Sequence, residues 1–590
     1  MTFLGWVLIF GFALILTVLA MPLGRYMAAV YIGERTVLDP VLRVPERLIL
    51  RVMRVDPTQG QDWKAYARSL IIFSLAGWLL LYLLLRTQTL WNWTGLNPQH
   101  FHSGTWDVTF NTTSSFVTNT NWQYYGGETT MSYFSQMAGL TVQNFLSAAV
   151  GISVAVALIR GIISRSGKSI GNFWQDLVRT VLYVLVPISF VVALLLVFQG
   201  SIQNFSHYLL AHTLTGGSQT IANGPVASQE AIKELGTNGG GFFNVNSAHP
   251  FENPTGFTNL VEMLAVLIIP AAIVFTYGRM SGKRRQGYAI YATMMILFLG
   301  AAIIAYVAEA HGSPAQHAAS LHTGVIHGSG GGNMEGKDQR FGIAGSALFD
   351  VVTTVTSCGA VNSAIESFTG IGGAIPFANL SASETIFGGV GTGLYSILLY
   401  VVLAVFLGGL MVGRTPEYLG KKIEAREIKL VTLGILITPL AALFATALGV
   451  ASKAGRASIS SAAAGTPHGF SETLYAYLSQ ANNNGSAFAG YTGYIQPNAG
   501  NLGAHGVKFA DILGGLTMMF ARFAPILFAL AVAGSLAGKR ISPPGLGTMR
   551  TDNPTFVVLL IGVIVIVGAL TFFPALLLGP LVQGLTGHLY

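Results

Sequence analysis

Formal charge is scarce in this chain. Of its 590 residues, 32 are lysine or arginine and 24 are aspartate or glutamate. Charged residues therefore make up 9% of the sequence, against about 25% in an ordinary soluble domain. Hydrophobic residues make up 52%. This balance excludes a soluble globular protein and predicts an all-α integral membrane protein.

Cysteine and long polar stretches are also nearly absent. A single cysteine, Cys358, excludes an intramolecular disulfide. No polar stretch of about 150 residues is present to form a soluble nucleotide domain. Residues 161–169 imitate a phosphate-binding loop, but five residues separate the two glycines instead of four, and no strand precedes them. The 12 histidines show no H-E-x-x-H pattern. We therefore expect no catalytic site in this chain.

Apolar runs long enough to cross a bilayer recur ten times. Inside hydrocarbon every backbone N–H and C=O must be paired within its segment, so a run of about 20 apolar residues predicts a spanning helix. The first run is too long for a signal peptide and lacks a basic start, so we expect it to remain as an anchor. The predicted helices cover residues 3–22, 66–86, 131–159, 177–199, 257–278, 288–310, 384–412, 428–449, 508–536 and 555–580.

The basic residues are concentrated on one side of the predicted membrane. Connections after the odd-numbered helices hold 24 of the 32 lysines and arginines. By the positive-inside rule these connections are cytoplasmic, and both termini lie outside. The net charge of +8 is thus a topology signal, and no nucleic-acid partner is expected. For Arg414, Lys421 and Lys422 topology signalling and docking to a partner both stay open.

Four of the outside connections contain a short helix-like stretch followed by an abrupt polar run. The runs begin at Asn119, Thr237, Ser357 and Asn483, each between two predicted spanning helices. The preceding stretches, such as 107–118, are about 12 residues or roughly 18 Å long as helices, which reaches halfway into about 30 Å of hydrocarbon. For any one run a surface turn is the simpler interpretation, but four runs in register favour re-entrant loops.

This pattern predicts four pseudo-repeats of helix, pore half-helix with filter loop, and helix, with one extra helix at each end. Arranged around a central pore, the repeats would bring four sets of carbonyl dipoles and four helix C-termini, each about half a negative charge, to one point. The partial negative charges at this point would attract a cation, although no ring of acidic side chains is present. The expected boundaries are 1–60 for the first helix and its connection, 61–165, 166–282, 283–415 and 416–540 for the repeats, and 541–590 for the last helix.

Several longer motifs are similar to one known family. Residues 128–137, 236–244, 357–361, 413–422 and 482–490 closely resemble the KdpA family, the potassium-binding and translocating subunits of the bacterial Kdp ATPase. The resemblance runs over nearly the whole chain. It implies a fold of the superfamily of potassium transporters in the bacterial plasma (inner) membrane. It also implies a P-type ATPase catalytic subunit, which would bind ATP and Mg²⁺, and small accessory membrane subunits as partners.

By residue-level correspondence, the resemblance implies a potassium filter built from four triplets that enter from the outer face. Three of the triplets end in glycine, which turns carbonyls inward without a Cβ clash, and the first ends in the αL-tolerant asparagine. The ring is therefore not four-fold symmetric. Whether the polar side chains bind K⁺ or brace the loops stays open, and Cys358 is expected to be a packed residue rather than a redox centre. The triplets are Asn119, Thr120 and Asn121; Thr237, Asn238 and Gly239; Ser357, Cys358 and Gly359; and Asn483, Asn484 and Gly485.

Two features below the predicted filter are candidates for a constriction. Arg522 lies inside the ninth predicted helix, where a buried charge is costly. It either sets the electrostatic floor of the pathway or pairs with Asp511 or another acid. The seventh predicted helix is longer than the roughly 20 residues that a bilayer requires. Close packing through small residues explains its glycines, whereas the resemblance implies a break and a loop under the filter. These glycines are Gly388, Gly389, Gly391 and Gly393.

The predicted function is potassium-selective binding and translocation as the non-hydrolytic subunit of an ATP-driven uptake pump. The ion would be captured at the outer face and passed to the ATPase subunit. The main alternative is a stand-alone potassium channel or ion-coupled symporter of the same superfamily. A purely structural membrane subunit is a third possibility.

Overall fold

The computed structural model describes residues 1–165, 167–313, 316–317, 319–320, 323–324, 331–413, 415–459, 465–491, 500–543 and 548–583, with the backbone alone for 500–507. In these residues ten helices are long and apolar enough to cross a membrane, which confirms the predicted number. The helices of ten or more residues are, in chain order, α1 Phe3–Ile32, α2 Asp39–Val52, α3 Trp63–Arg86, α4 Trp106–Val117, α5 Ser135–Ile163, α6 Phe173–Phe198, α7 Val226–Leu235, α8 Gly256–Met280, α9 Arg284–His311, α10 Gly342–Thr354, α11 Gly370–Ser381, α12 Thr392–Met411, α13 Ala425–Ala451, α14 Pro467–Ala481, α15 Gly500–Ala537 and α16 Pro554–Leu581.

Among the described residues, four short helices between spanning helices are each followed by one of the predicted polar runs. These are α4, α7, α10 and α14, with 12, 10, 13 and 15 residues. At 1.5 Å per residue they are roughly 15–22 Å long, too short to cross a bilayer. The start of α14 shows the local cause of one such helix: Thr466 accepts a hydrogen bond from the backbone N–H of Gly469, and Pro467 occupies the first helical position. A positive φ at Asn483 ends the same helix.

The seventh predicted span, residues 384–412, is not one continuous helix. Helix α12 begins at Thr392, and an unpredicted helix, α11, precedes it. Residues 382–391 between them are non-helical. The backbone there turns repeatedly through positive φ, which a helix cannot contain. The residues with positive φ are Ser383, Glu384, Phe387, Gly388 and Gly391.

The spanning helices divide into an inner and an outer group. Helices α5, α8 and α12 bury most of their residues, whereas α1, α3, α6 and α16 bury about a third or less of theirs. Outer helices reach the inner ones through small residues. In α1, Gly24 lies so close to Ala272 and Phe275 of α8 that a Cβ would collide with them, and its carbonyl accepts a hydrogen bond from Thr276 Oγ1 (3.0 Å). Such contacts replace the hydrophobic effect, which does not act between helices in lipid.

Two small antiparallel hairpins lie outside the helices. Strands β1 Leu209–His212 and β2 Ser218–Ile221 pair between α6 and α7, with Leu209 opposite Ile221. Strands β3 Glu417–Tyr418 and β4 Lys421–Lys422 pair between α12 and α13.

The β3–β4 hairpin carries a buried lysine. Lys421 Nζ donates to the carbonyl oxygens of Gly161 (3.0 Å) and Leu536 (2.6 Å), in the last turns of α5 and α15. An ammonium group is favourable at these negative helix ends. Burial lowers the pKa of Lys421 to about 8. Lys421 therefore joins two inner helices, whereas Lys422 is exposed and Arg414 lies outside the described residues.

Candidate ion filter

The four polar triplets that follow the half-helices meet at one place. We name them filter loops 1 to 4, for residues 119–121, 237–239, 357–359 and 483–485. All their residues are buried except Gly485, which is half-buried. The loops touch in cyclic order, so they form a closed ring. The contacts that close it are between Asn119 and Thr237, Gly239 and Gly359, Gly359 and Asn484, and Gly485 and Thr120.

Asparagine amides fasten loop 1 to loop 2. Asn119 Nδ2 donates to the carbonyl oxygens of Gly236 (3.2 Å) and Thr237 (2.9 Å). Asn238 Nδ2 returns a hydrogen bond to Asn119 Oδ1 (2.7 Å). Asn121 Nδ2 donates to the carbonyl oxygen of Gly239 (2.9 Å). These amides contact protein groups, and so brace the loops from behind.

Loop 4 is fastened to its neighbours in the same way. Asn484 Nδ2 lies within hydrogen-bonding distance of the carbonyl oxygens of Thr353 (2.7 Å), Thr356 (2.9 Å) and Cys358 (2.8 Å). Asn483 Nδ2 donates to Thr120 Oγ1 (2.9 Å) in loop 1. Each of the two asparagines therefore holds loop 4 to a different neighbour.

Positive φ values alternate along three of the loops. Loop 1 has them at Asn119 (69°) and Asn121 (54°), loop 2 at Thr237 (47°) and Gly239 (68°), and loop 4 at Asn483 (49°) and Gly485 (102°). Asn121 thus takes the backbone conformation that glycine takes in loops 2 and 4. Among these residues Thr237 has the most strained backbone, because a β-branched residue with positive φ is a genuine outlier. Strain of about 1–3 kcal/mol at such a residue is typical of functional sites.

Loop 3 breaks the symmetry of the ring. Ser357, Cys358 and Gly359 all keep negative φ, unlike the corresponding residues of loops 1, 2 and 4. Cys358 is fully buried, and its Sγ lies 3.5 Å from Glu234 Oε2. Its carbonyl oxygen accepts hydrogen bonds from Asn484 and from Thr353 Oγ1. The asymmetry therefore lies in the backbone of loop 3 as well as in the side chain of Asn121.

A cavity of about 700 Å³ opens above the ring. Residues of loops 1, 3 and 4 line its floor, and Tyr124, Tyr491, Lys337 and Asp338 are among those in its wall. Burial lowers the pKa of Lys337, although Glu309 opposes this shift. A hydrogen bond from Arg340 lowers the pKa of Asp338. The cavity reaches the ring at Asn121, Gly359 and Gly485.

The non-helical segment 382–391 lies on the other side of the ring. The backbone N–H of Val390 donates to Thr237 Oγ1 (3.0 Å), and that of Gly388 donates to the carbonyl oxygen of Val355 (2.9 Å). A Cβ at Gly389 would collide with Ser357 Oγ, and one at Gly391 with the backbone of Gly151. Of the predicted glycines, Gly388, Gly389 and Gly391 therefore lie in a loop beneath the filter, and Gly393 lies in the first turn of α12.

Arg522 lies next to this segment. Its side chain is 3% exposed, and in the described residues its Nη1 has no hydrogen-bond partner. Of the alternatives left open by the sequence, pairing with Asp511 is not seen among the described residues, where both Asp511 carboxylate oxygens lack a hydrogen-bond partner. Instead Arg522 is near enough to Glu384 for their charges to interact. Among the described residues the guanidinium thus lies beside segment 382–391, and not in an ion pair with Asp511 of its own helix.

Replacing Arg522 with alanine is expected to alter the coupling of potassium transport and to raise uncoupled K⁺ flux about ten-fold, because removing a buried positive charge near the path lowers the barrier to a passing cation by about 1–2 kcal/mol. The half-saturating K⁺ concentration is expected to stay within about two-fold, since the filter loops are untouched. Uptake by reconstituted vesicles measures both quantities. Arg522→Lys is the control that keeps the charge. Affinity that falls in step with transport would assign Arg522 to folding instead.

A charged cluster behind loop 2 escapes prediction from the sequence. Lys233 Nζ lies 2.8 Å from Glu230, 2.9 Å from Glu252 and 3.5 Å from Glu234, and all four side chains are at most 1% exposed. Glu262 lies in the same cluster, with both carboxylate oxygens buried and unpaired. The sequence feature that could have indicated this cluster is the presence of three ionisable residues, Glu230, Lys233 and Glu234, in the half-helix α7.

The described residues contain ten spanning helices and four half-helices, and the loops after the half-helices meet in a buried polar ring. These features define the chain as a multi-pass membrane protein with a re-entrant polar centre. Comparison with known sequences makes this specific. The chain belongs to the KdpA family, described as "Potassium-transporting ATPase A subunit", whose profile matches residues 10–585.

Full-length relatives support the same assignment. The "Potassium-transporting ATPase potassium-binding subunit" of Mesorhizobium japonicum is 53% identical over 585 residues, covering 99% of both chains. The protein of the same name from Granulibacter bethesdensis is 52% identical over 593 residues, covering 100% of both. Among solved structures, the potassium transporter TrkH from Vibrio parahaemolyticus matches with a TM-score of 0.46 and 15% identity, over 76% of this chain and 84% of TrkH.

Proposed function

We propose that this chain is the potassium-binding and translocating subunit of an ATP-driven potassium uptake pump. It captures K⁺ at the outer face in the ring of filter loops and passes it to a P-type ATPase subunit. The observation that carries the proposal is the closed ring of four loops beneath an open cavity. Membership of the KdpA family supports this function over a stand-alone channel or symporter.

The chemistry of the ring supports potassium as the ion. A dehydrating K⁺ needs several oxygens, and backbone carbonyls supply them without a fixed charge. In this ring the asparagine amides already bond the carbonyl oxygens of Thr237, Gly239 and Cys358, so the proposed ligand groups are the other backbone carbonyl oxygens of filter loops 1 to 4. The C-termini of α4, α7, α10 and α14 precede the loops and add partial negative charge.

We further propose four pseudo-repeats, with the boundaries expected from the sequence. The order of elements supports them: spanning helix, half-helix, loop and spanning helix occur at α3–α5, α6–α8, α9–α12 and α13–α15. Helices α1 and α16 are the extra ones. In the third repeat, α11 and segment 382–391 are added before the second spanning helix, and this segment acts as the constriction together with Arg522.

The proposed orientation places the half-helices and both chain ends at the outer face of the bacterial inner membrane. At the start of the chain, the backbone N–H of Thr2 donates to Tyr306 Oη (2.7 Å), near the end of α9 that leads to a half-helix. Near the other end, Ser471 Oγ of α14 donates to Gln583 Oε1 (3.0 Å). Both ends thus lie on the side from which the half-helices enter.

The proposed partners are the ATPase catalytic subunit, which binds ATP and Mg²⁺, and small accessory membrane subunits. A direct test is reconstitution of the chain in liposomes, alone and together with the co-expressed ATPase subunits. We expect K⁺ uptake that requires ATP and the partner, and K⁺ binding to the chain that competes weakly with Na⁺. Potential-driven flux through the chain alone, without ATP, would show a channel or symporter. Failure to bind K⁺ in either form would leave a structural subunit.

A further inference from the structure

Helix α2 is an amphipathic helix outside the spanning bundle. Its exposed apolar residues lie on one face at spacings of three and four: Val41, Val44, Leu48 and Val52, which are 70%, 69%, 58% and 74% exposed. Val37, in the turn before the helix, continues this stripe and is 88% exposed. So many exposed aliphatic side chains in one row are not accounted for by any contact among the described residues.

A second stripe on the same helix is basic. Arg43, Arg47 and Arg51 follow a spacing of four, and all are exposed, as is Arg54 just beyond the end of the helix. With 3.6 residues per turn, the basic stripe lies about a third of a turn from the apolar one. An apolar face beside a basic face is typical of helices that lie in the plane of a membrane surface, and it favours anionic lipid.

The third face of α2 fixes its position. Glu46 Oε1 lies 2.7 Å from Arg179 Nε, and Tyr183 Oη donates to Glu46 Oε2 (3.0 Å). Arg179 and Tyr183 belong to α6 and lie roughly 9–15 Å along this spanning helix from its start. Helix α2 therefore lies alongside the first turns of a spanning helix, near the basic connection that precedes α6. Because Glu46 is neutralised by Arg179, the charge left on the exposed surface is basic.

We propose that α2 is an anionic-lipid-binding helix of the cytoplasmic leaflet. Its valine and leucine stripe inserts at the boundary of the acyl chains, and its three arginines bind phospholipid headgroup phosphates. The inference depends on the placement of the basic connections at the cytoplasmic surface, but not on the identity of the transported ion. A partner subunit covering the apolar stripe is the competing occupant, and the test separates the two.

The depth of the helix is measured with environment-sensitive labels on Leu48→Cys and, as matched neighbour, Arg47→Cys. Because Cys358 is fully buried, we expect it not to react with the label. The wild-type chain treated with the same label is therefore the control. The full chain, alone and with its partner subunits, is placed in nanodiscs of phosphatidylcholine with or without phosphatidylglycerol. We expect the label at 48 to be quenched by nitroxide lipids and the label at 47 by aqueous iodide, with and without partners. Iodide access at 48 in lipid, or protection only when partners are present, would overturn the proposal.

Lipid selectivity is the second measurement. In the variant Arg43→Gln/Arg47→Gln/Arg51→Gln, retention of phosphatidylglycerol over phosphatidylcholine, measured by native mass spectrometry, is expected to fall about five-fold per arginine at low salt. The control Arg165→Gln/Lys168→Gln removes exposed charge from the next cytoplasmic connection, where no apolar stripe is present. Unchanged retention in the triple variant, or an equal loss per charge in the control, would contradict a specific site on α2.

Discussion

Replacing Gly239 with aspartate is expected to weaken K⁺ binding about ten- to hundred-fold and to reduce discrimination against Na⁺ and Rb⁺. Gly239 has φ 68° and packs against the backbone of Gly359. A Cβ there would collide with loop 3 and force a strained conformation of about 1–3 kcal/mol, where 1.4 kcal/mol is ten-fold in affinity. The added carboxylate would also disturb the carbonyl that accepts from Asn121. Equilibrium binding of the three ions measures both effects.

Gly282→Asp is the matched control for this substitution. Gly282 also has φ 68°, but no atom lies within 4 Å of the position that its Cβ would occupy. It therefore carries the same backbone strain and charge away from the ring. Gly239→Ala separates the collision from the charge. Unchanged affinity for all three ions in Gly239→Asp, in a folded protein, would contradict the placement of the filter.

Replacing Lys233 with methionine is expected to destabilise the protein by about 3–5 kcal/mol, the cost of leaving buried carboxylates without their counter-charge. The ammonium contacts Glu230, Glu234 and Glu252 in a site without solvent access. Thermal unfolding in detergent, together with the monodisperse fraction in size-exclusion chromatography, measures the loss. Lys168→Met, at an exposed lysine, is the control and is expected to have no effect.

A second variant tests the electrostatic cause. Lys233→Met/Glu252→Gln removes one carboxylate charge as well as the ammonium, so it is expected to recover part of the lost stability. If the double variant is no more stable than Lys233→Met, the lysine acts through packing instead. Because Cys358 of loop 3 contacts Glu234, we also expect weaker K⁺ binding in whatever fraction of Lys233→Met folds.

The architecture could be predicted largely because membrane segments obey simple rules. Ten apolar runs predicted the spanning helices. The half-helices were predicted from the polar runs that follow them, which begin at Asn119, Thr237, Ser357 and Asn483. Helix α11 could not be found in this way, because 12 residues rich in glycine and interrupted by Pro376 have neither the length nor the propensity of a recognisable helix. The same glycine-rich composition hid the true start of α12 at Thr392.

The site was predictable only in its residue types. The sequence motifs predicted which residues form the four filter triplets. The negative φ values of loop 3, however, depend on its packing against Gly239 and Asn484, which are far away in the sequence. The role of the asparagine amides as braces depends on the same distant contacts. Likewise, the partners of Lys233 include Glu252, which lies beyond the filter motif and carries no signal of its own.

The filter loops belong to one polypeptide and differ from each other in sequence and in backbone. In an assembly of four identical subunits, any change of a pore residue appears at four corners at once. Here each position is encoded separately, so a mutation alters a single corner. Natural variation can therefore change the ring in small increments, and one corner can differ from the others, as loop 3 does in its backbone conformation.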